Sequence, residues 1–376
     1  MIVQPRAFEY RKAFYRGLDS SLREHGIELT VAVGQGAGPR ADSFEDPYVL
    51  VTGDRLSQLT RDKLRWRSPS RVRKEAGGPD LLVVEQAIKN IDTYRWMLHR
   101  PHRRSIAFWG HGRSFSTHQA SVPAAWKQAL TRQGAWFFAY TEEGADCVVE
   151  NGFPRACVTV VRNTLDVEGM RTRLAEVSAE QVSDLRDRLR LTPGRTALFI
   201  GGVDPAKDVD FLLEAAREAR RLLPGFVLLV GGAGQSLEQV REVERAGGPV
   251  RALGRIEQDR KALAMATSDV MMIPTWIGLV AVDSFVSGLP IVTRRDRSHS
   301  PEAAYLASGI DSQWLPKRVS PYVYATAVTS LMQDPGELQR LGKNCRLRAG
   351  EYLMQGMIDR FTEGVLAWDE MRRFRL

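Results

Sequence analysis

The residues best suited to chemistry sit in a few short stretches. Phe199-Ile200-Gly201-Gly202-Val203-Asp204-Pro205-Ala206-Lys207 runs from an apolar segment through two glycines to a lysine at the start of a helical pattern. Such a turn offers free backbone N–H groups and one cation to a phosphate, although a glycine turn can equally be a tight connection. Val230-Gly231-Gly232-Ala233-Gly234 repeats that design after the next apolar run. Pro274 to Val292 places Gly278, Leu279 and Val280 at a helix start, Asp283 inside the helix, and Gly288-Leu289-Pro290 before another apolar run. His111 stands between Gly110 and Gly112 after Phe108-Trp109, where two glycines would let a ligand approach the backbone. Glu302 follows Pro301 and fits either a ligand contact or an acid at a helix N-terminus. Lys207 and the amides of Gly278 to Val280 suit a phosphate-bearing anion, and Arg255 and Arg113 are further candidate cations. His99-Arg100-Pro101-His102 reads as a surface turn, and no other His or acid cluster has metal-ligand spacing, so chemistry without a metal is expected.

Those turns need strands and helices to hold them. The 376 residues predict two domains, and 43% apolar with 26% charged residues is a soluble globular composition. No apolar run reaches the roughly 18 residues that span a bilayer, and Met1-Ile2-Val3-Gln4-Pro5 lacks the start of a signal peptide. A cytoplasmic protein is expected. Cys147, Cys157 and Cys345 form no C-x-x-C and read as reduced, buried thiols.

In the first half, apolar runs predict strands at 27–33, 48–51, 81–85, 105–109, 136–140 and 157–161. Phe14, Leu18 and Leu22 followed by Gly26 predict a helix with a glycine stop. In the second half strands are expected at 196–200, 226–230, 250–253, 270–273 and 290–292, with helices near 207–223, 236–246, 257–267 and 279–287. The alternation is that of parallel sheets covered on both faces. The expected plan is α/β: two Rossmann-like doubly wound domains facing a cleft, one over residues 1–166 and one over 195–350. Residues 167–194 read as a linker carrying a Ser178/Gln181 capping box. Residues 351–376, with Met357, Phe361, Val365 and Trp368 on one face, read as a helix packing back on the first domain.

Several motifs in order extend this reading by resemblance. Pro274 to Pro290 resembles the donor-binding segment P-S-x-x-E-G-F-G-L-x-x-x-E-A-x-x-x-G-x-P of retaining glycosyltransferases of family 4, which have the GT-B fold. Gly201 to Lys207 resembles the family's G-R-x-x-x-x-K, and Leu253-Gly254-Arg255 its turn near the nucleotide base. Gln4-Pro5 through Tyr10-Arg11 resembles the opening loop of polysaccharide-type members. Phe108-Trp109-Gly110-His111-Gly112-Arg113 resembles their W-G-H-G loop, Val161 to Asp166 the V-x-N-x-x-D, and His299-Ser300-Pro301-Glu302 with Tyr305-Leu306 the H-S-P-E-x-x-Y-L.

The resemblance implies sugar transfer from a nucleotide donor, most simply UDP-linked, to a hydroxyl of a glycan, lipid-linked or natural-product acceptor, without a cofactor or metal. It implies that Lys207 neutralises the diphosphate, that Asp283 takes the ribose, that Thr275 faces the donor sugar, and that His111 and Glu302 bind sugar or nucleotide. Tyr10, Arg11 and Arg113 fall on the acceptor side. Two positions depart from the pattern: Gly202 replaces the family's arginine, and Thr275 its first glutamate. A nucleotide-sugar-binding protein without transfer, or a GT-B-type sugar epimerase, is therefore an alternative.

The net charge of +8 is concentrated. Residues 61–104 carry twelve Lys/Arg against five acids, with Trp66, Tyr94 and Trp96 interleaved. A solvated face is the first reading, an anionic acceptor or membrane surface the second. Nucleic acid is a distant third, because no nucleic-acid motif accompanies the charge.

Overall fold

The computed structural model describes residues 1–4, 9–34, 46, 48–52, 78–87, 90–98, 106–112, 128–296 and 298–374. Arg113, Trp66, His118 and most of the basic stretch lie outside the described residues. The chain divides into two compact units, Met1–Asn163 with Met354–Leu376, and Thr164–Leu353.

The described strands of the first unit are β1 (Ile2–Gln4), β2 (Val31–Gly34), β3 (Val49–Thr52), β4 (Leu82–Glu85), β5 (Ile106–Gly110), β6 (Trp136–Ala139) and β7 (Val158–Val160), in the order β3-β2-β1-β4-β5-β6-β7. Every pairing is parallel. Val, Ile, Phe and Ala fill these strands, as a sheet covered on both faces requires. Helices α1 (Lys12–Glu24), α2 (Ile91–Leu98) and α3 (Glu142–Glu150) belong to this unit. Helix α1 buries Phe14, Tyr15, Leu18 and Leu22 and is followed by Gly26 at φ +70°, the expected glycine stop. The C-terminal helix Met354–Phe374 packs on α1 and β7. Phe361 stacks on Phe138 at 4.1 Å and meets Phe14 and Trp109 edge-on.

The second unit begins with α4 (Val167–Glu176) and α5 (Ala179–Leu189), and continues β8 (Thr196–Ile200), α6 (Val209–Leu222), β9 (Val227–Gly231), α7 (Leu237–Arg245), β10 (Val250–Gly254), α8 (Gln258–Thr267), β11 (Val270–Met272), α9 (Val280–Ser287), β12 (Ile291–Arg294), β13 (Ser312–Leu315), α10 (Pro321–Met332) and α11 (Pro335–Arg348). Its sheet is parallel in the order β10-β9-β8-β11-β12-β13. Chain order reverses between β8 and β11 here, and between β1 and β4 in the first unit. Ligands of doubly wound sheets bind beyond the carboxyl ends of the strands that flank such a point.

Three expectations need correction. Residues 167–194 are not a linker between the units but part of the second: Val167, Met170 and Leu191 lie in its core and Leu185 is also buried, because α4 packs on α8 and α9 and α5 packs on α8. The capping box is present, with Ser178 Oγ accepting from Gln181 N–H and Gln181 Oε1 accepting from Ser178 N–H. The strand expected at 27–33 starts at Val31. Strands β1 and β13 were not expected. Three residues, or the mixed Ser-Gln-Trp-Leu, carry no periodic signal, and these segments are strands because β2, β4 and β12 supply their partners. Trp96 is 4% exposed, a core residue rather than a stacking platform for bases.

Candidate functional site

In the second unit the loops after β8 and β11 meet where the chain order reverses. Lys207 ends the first loop, on a single turn of 3-10 helix, Pro205–Lys207. Its Nζ donates to the Trp276 carbonyl at 2.6 Å across the switch point. Burial lowers the Lys207 pKa to about 8, with Asp204 acting in the opposite direction. Trp276 has φ +53°, a conformation that costs a non-glycine residue of order 1–3 kcal/mol, so the surrounding contacts hold it there.

The glycine turns serve the backbone. Gly201 N–H donates to Gly231 O at 3.0 Å, Val203 N–H to Ala233 O at 3.0 Å, and Gly232 N–H to Gly254 O at 2.8 Å. A Cβ on Gly232 would collide with Gly201 O, so only glycine lets these two loops approach. Gly202 is backbone-compatible with a side chain except for Asp204, whose carboxylate an added Cβ would meet at 2.9 Å.

Helix α9 starts at Val280. Its first bonds run from Ala281 N–H to Gly278 O and from Val282 N–H to Leu279 O, leaving the amides of Gly278, Leu279 and Val280 ahead of them. Thr275 is buried, its Oγ1 2.6 Å from Ser298 Oγ. Asp283 lies in the first turn of α9 but pairs with Lys261 of α8 at 2.6 Å, both side chains largely buried. Burial raises the Asp283 pKa and Lys261 opposes the rise. Glu302 is 3% exposed in the 3-10 segment Pro301–Tyr305, which adjoins this loop through Ser300 N–H to Ile277 O at 2.8 Å. Arg255 is exposed beyond the edge strand β10, with β9 between it and the switch point.

Two side chains outside the expected set join this site. Arg294, the last residue of β12, pairs with Asp208 at 2.6 Å, donates from Nε to Pro274 O at 3.3 Å and lies 3.8 Å over the Phe211 ring. Reading the strand as ending at Val292 hid it; its place at a strand's carboxyl end is the signal that would have found it. His299 Nδ1 accepts from Ile277 N–H at 3.0 Å, and its Nε2 contacts Arg294 O at 2.8 Å. An amide can only donate and a carbonyl only accept, so the ring is the neutral Nε2–H tautomer. Burial lowers its pKa in keeping with that.

In the first unit His111 follows β5, its ring edge-on to Tyr140 at 4.7 Å. The flanking glycines have a packing reason beside the expected one. Gly112 has φ +75°, a Cβ there would strike the backbone of Gly144 at the start of α3, and one on Gly110 would meet Gln86 Cβ at 3.1 Å. Close packing by itself accounts for Gly112 and favours glycine at 110. Arg11 is buried against Trp109, with Tyr10 and Tyr140 alongside. Thus Lys207, Thr275, Gly278 to Val280 and, through the adjoining Pro301–Tyr305 segment, Glu302 belong to neighbouring loops of one unit. His111, Tyr10 and Arg11 cluster in the other.

Residues 194–334 match the family model described as Glycosyl transferases group 1. A D-inositol 3-phosphate glycosyltransferase 2 of Catenulispora acidiphila is 30% identical over 183 residues, 44% of this chain and 42% of that protein. A phosphatidyl-myo-inositol mannosyltransferase of Mycobacterium leprae is 36% identical over 107 residues, 26% of this chain and 28% of that one. The chain spans less than half the length of these curated relatives. Among solved structures, Anabaena Alr3699/HepE in complex with UDP-glucose superposes with TM-score 0.72 at 15% identity, covering 97% of this chain and 98% of that one. Sucrose-phosphate synthase from Thermosynechococcus elongatus gives 0.70 at 14%, covering 96% of each. The fold of this chain, two Rossmann-like parallel-sheet domains, is that of the GT-B glycosyltransferases.

Proposed function

We propose that the chain is a glycosyltransferase of the retaining, family 4 type that moves a sugar from a nucleotide donor, UDP-linked, to a hydroxyl acceptor without a metal. The observation that carries this reading is Lys207, held at the switch point of a unit that matches the glycosyl transferases group 1 model. A departing nucleoside diphosphate gathers charge on its β-phosphate. In this reading the Lys207 ammonium and the amides of Gly278, Leu279 and Val280 neutralise that charge, and they do so most strongly out of water. Arg294 and His299 fix the loop that presents those amides. In this reading Thr275 faces the donor sugar, Glu302 and His111 bind sugar or nucleotide, and Asp283, ion-paired with Lys261, is not free to take the ribose. UDP-glucose in the superposed Anabaena protein supports a uridine donor. Among the described residues no three His, Cys, Asp or Glu side chains converge, which motivates metal independence.

A second reading, binding of a nucleotide sugar without transfer, is favoured by two observations: Gly202 supplies no second cation, and Asp283 is committed to Lys261. Donor hydrolysis separates the two. The expected result is thermal stabilisation by UDP and slow release of free sugar from a UDP-sugar, both unchanged by EDTA. A ligand at 100 times its Kd stabilises by about 2.7 kcal/mol, enough to read as a melting shift. Stabilisation without sugar release supports the binding protein, and turnover lost to EDTA and restored by Mn²⁺ removes the metal-free assignment.

A further inference from the structure

We infer that Arg11 is the anchor of a ligand site in the first unit that takes an acceptor bearing a phosphate or carboxylate; the inference rests on the transfer reading above. Arg11 is 4% exposed. Its guanidinium carbon lies 4.3 Å from the Trp109 ring centre, 5.3 Å from that of Tyr10 and 5.6 Å from that of Tyr140, and Nη2 donates to Tyr140 Oη at 3.3 Å. No carboxylate of the described residues pairs with it. Three half-buried cations elsewhere are matched, Lys261 by Asp283, Arg294 by Asp208 and Arg348 by Asp311, whereas Lys207 shares with Arg11 the lack of a paired carboxylate and donates to a carbonyl. The hydrogen-bond partners of Arg11 are the neutral phenols of Tyr140 and Tyr10, which share its donors but supply no formal negative charge.

The surroundings add to the positive field. Arg11 is the N-cap residue of α1, whose first turn carries no acid, so the amino end of the helix is uncompensated as well. The cluster stands at the carboxyl ends of β5 and β6, where His111 packs edge-on against the same Tyr140 ring. A buried charge without a counter-charge is costly, and retaining one at a strand end is explained by an anion that completes it. An oxyanion on a sugar fits best: the fork takes two oxygens of a phosphate or carboxylate, and the half-buried Tyr10 and Tyr140 rings offer apolar walls to the ring, while the buried Trp109 backs the guanidinium. In the transfer reading the diphosphate has its own cation in Lys207, which leaves Arg11 for the acceptor.

The test is calorimetric titration of the full chain with inorganic phosphate, with UDP held at saturation to fill the diphosphate site and ionic strength matched with NaCl. Acetate is the carboxylate probe and glycerol the neutral one. The expected result is phosphate or acetate binding to wild type, weakened at least tenfold in Arg11→Met, partly kept in Arg11→Lys, with UDP affinity equal in all three. The melting temperature of Arg11→Met should not fall, because the substitution removes an unmatched buried charge. Phosphate affinity unchanged in Arg11→Met, or seen only when UDP is omitted, overturns the proposal. So does wild type that binds neither anion while Arg11→Met melts several degrees lower, the signature of a purely structural stack. If Arg11→Met does not fold, Arg11→Lys and the wild-type titration still decide. Failure of UDP to bind wild type would instead remove the transfer reading. Phosphate titration of Lys207→Ala would then report on Arg11 alone, and loss of phosphate binding in that variant would overturn the Arg11 site.

Discussion

Lys207 carries two opposed demands. Burial holds its pKa near 8, so the folded protein disfavours the charge that the transfer reading needs. Lys207→Ala should lower kcat/KM about 10²–10³-fold, equivalent to the roughly 2.7–4 kcal/mol typical of one preorganised electrostatic donor. Lys207→Met should lower transfer to the same extent yet leave the melting temperature at pH 7 unchanged or higher. A pKa below its unfolded value means that the unfolded chain binds more protons between pH 8 and 10.5. The lysine therefore weakens the fold below pH 8, and that penalty disappears as pH rises through the window. UDP affinity should move the other way, falling above pH 8 as the free amine loses its charge; titration of UDP from pH 6.5 to 9.5 in wild type and Lys207→Met reads both. His111 makes a separate prediction: His111→Ala should cut transfer at least tenfold while leaving UDP affinity unchanged, since the residue sits in the first unit with Tyr140. Equal loss of both, with a lower melting temperature, would mark a structural histidine.

At the scale of elements, two junctions decide how the helices seat. The Asp283–Lys261 pair ties α9 to α8 with side chains 7% and 14% exposed. Removing one partner strands the other, so Asp283→Ala should cost about 3–5 kcal/mol in denaturant unfolding, and Asp283→Leu with Lys261→Met should recover most of it. Strict additivity of the two single changes would show that the pair does not interact. The C-terminal helix approaches the first sheet at Gly364, where a Cβ would meet Thr159 Oγ1 at 2.5 Å and Phe138 Cε1 at 2.6 Å. Gly364→Ala should destabilise by about 1–3 kcal/mol through overpacking, although alanine is the better helix former. Gly350, with open space around its Cβ position, is the control and should be neutral when changed to alanine.

At the scale of the whole molecule, the units are built differently along the chain. Thr164–Leu353 is continuous, with its own core from Val167 to Tyr352, whereas the first unit needs Met354–Leu376 to return. A fragment of residues 164–353 should fold cooperatively and bind UDP with the affinity of the full chain. A fragment of residues 1–163 should be insoluble, because Phe14, Trp109 and Phe138 lose the cover of Phe361. Circular dichroism melts and UDP titration of both fragments provide the check. Among the described residues no helix is long and apolar enough to cross a membrane.

What the amino-acid sequence determined alone is local. The run Thr196–Ile200, the Ser178/Gln181 box, the stop at Gly26 and the glycine turn leading to Lys207 are each encoded within one strand or one helical turn, where backbone sterics and side-chain period act directly. The ordered motifs also pointed to two doubly wound sheets. Strand order decided the rest. Lys207 meets the carbonyl of Trp276, 69 residues away, only because β8 and β11 are neighbours. Arg294 reaches Asp208 across the same junction, and β1 and β13 are strands only because partners flank them. Nothing in a window of sequence distinguishes a glycine that admits a ligand from one that admits another backbone, as at Gly112 and Gly232, or an acid free for a ribose from one claimed by a lysine, as at Asp283. Those choices depend on which groups the packed sheet brings within a few ångströms, and that is a property of the tertiary structure.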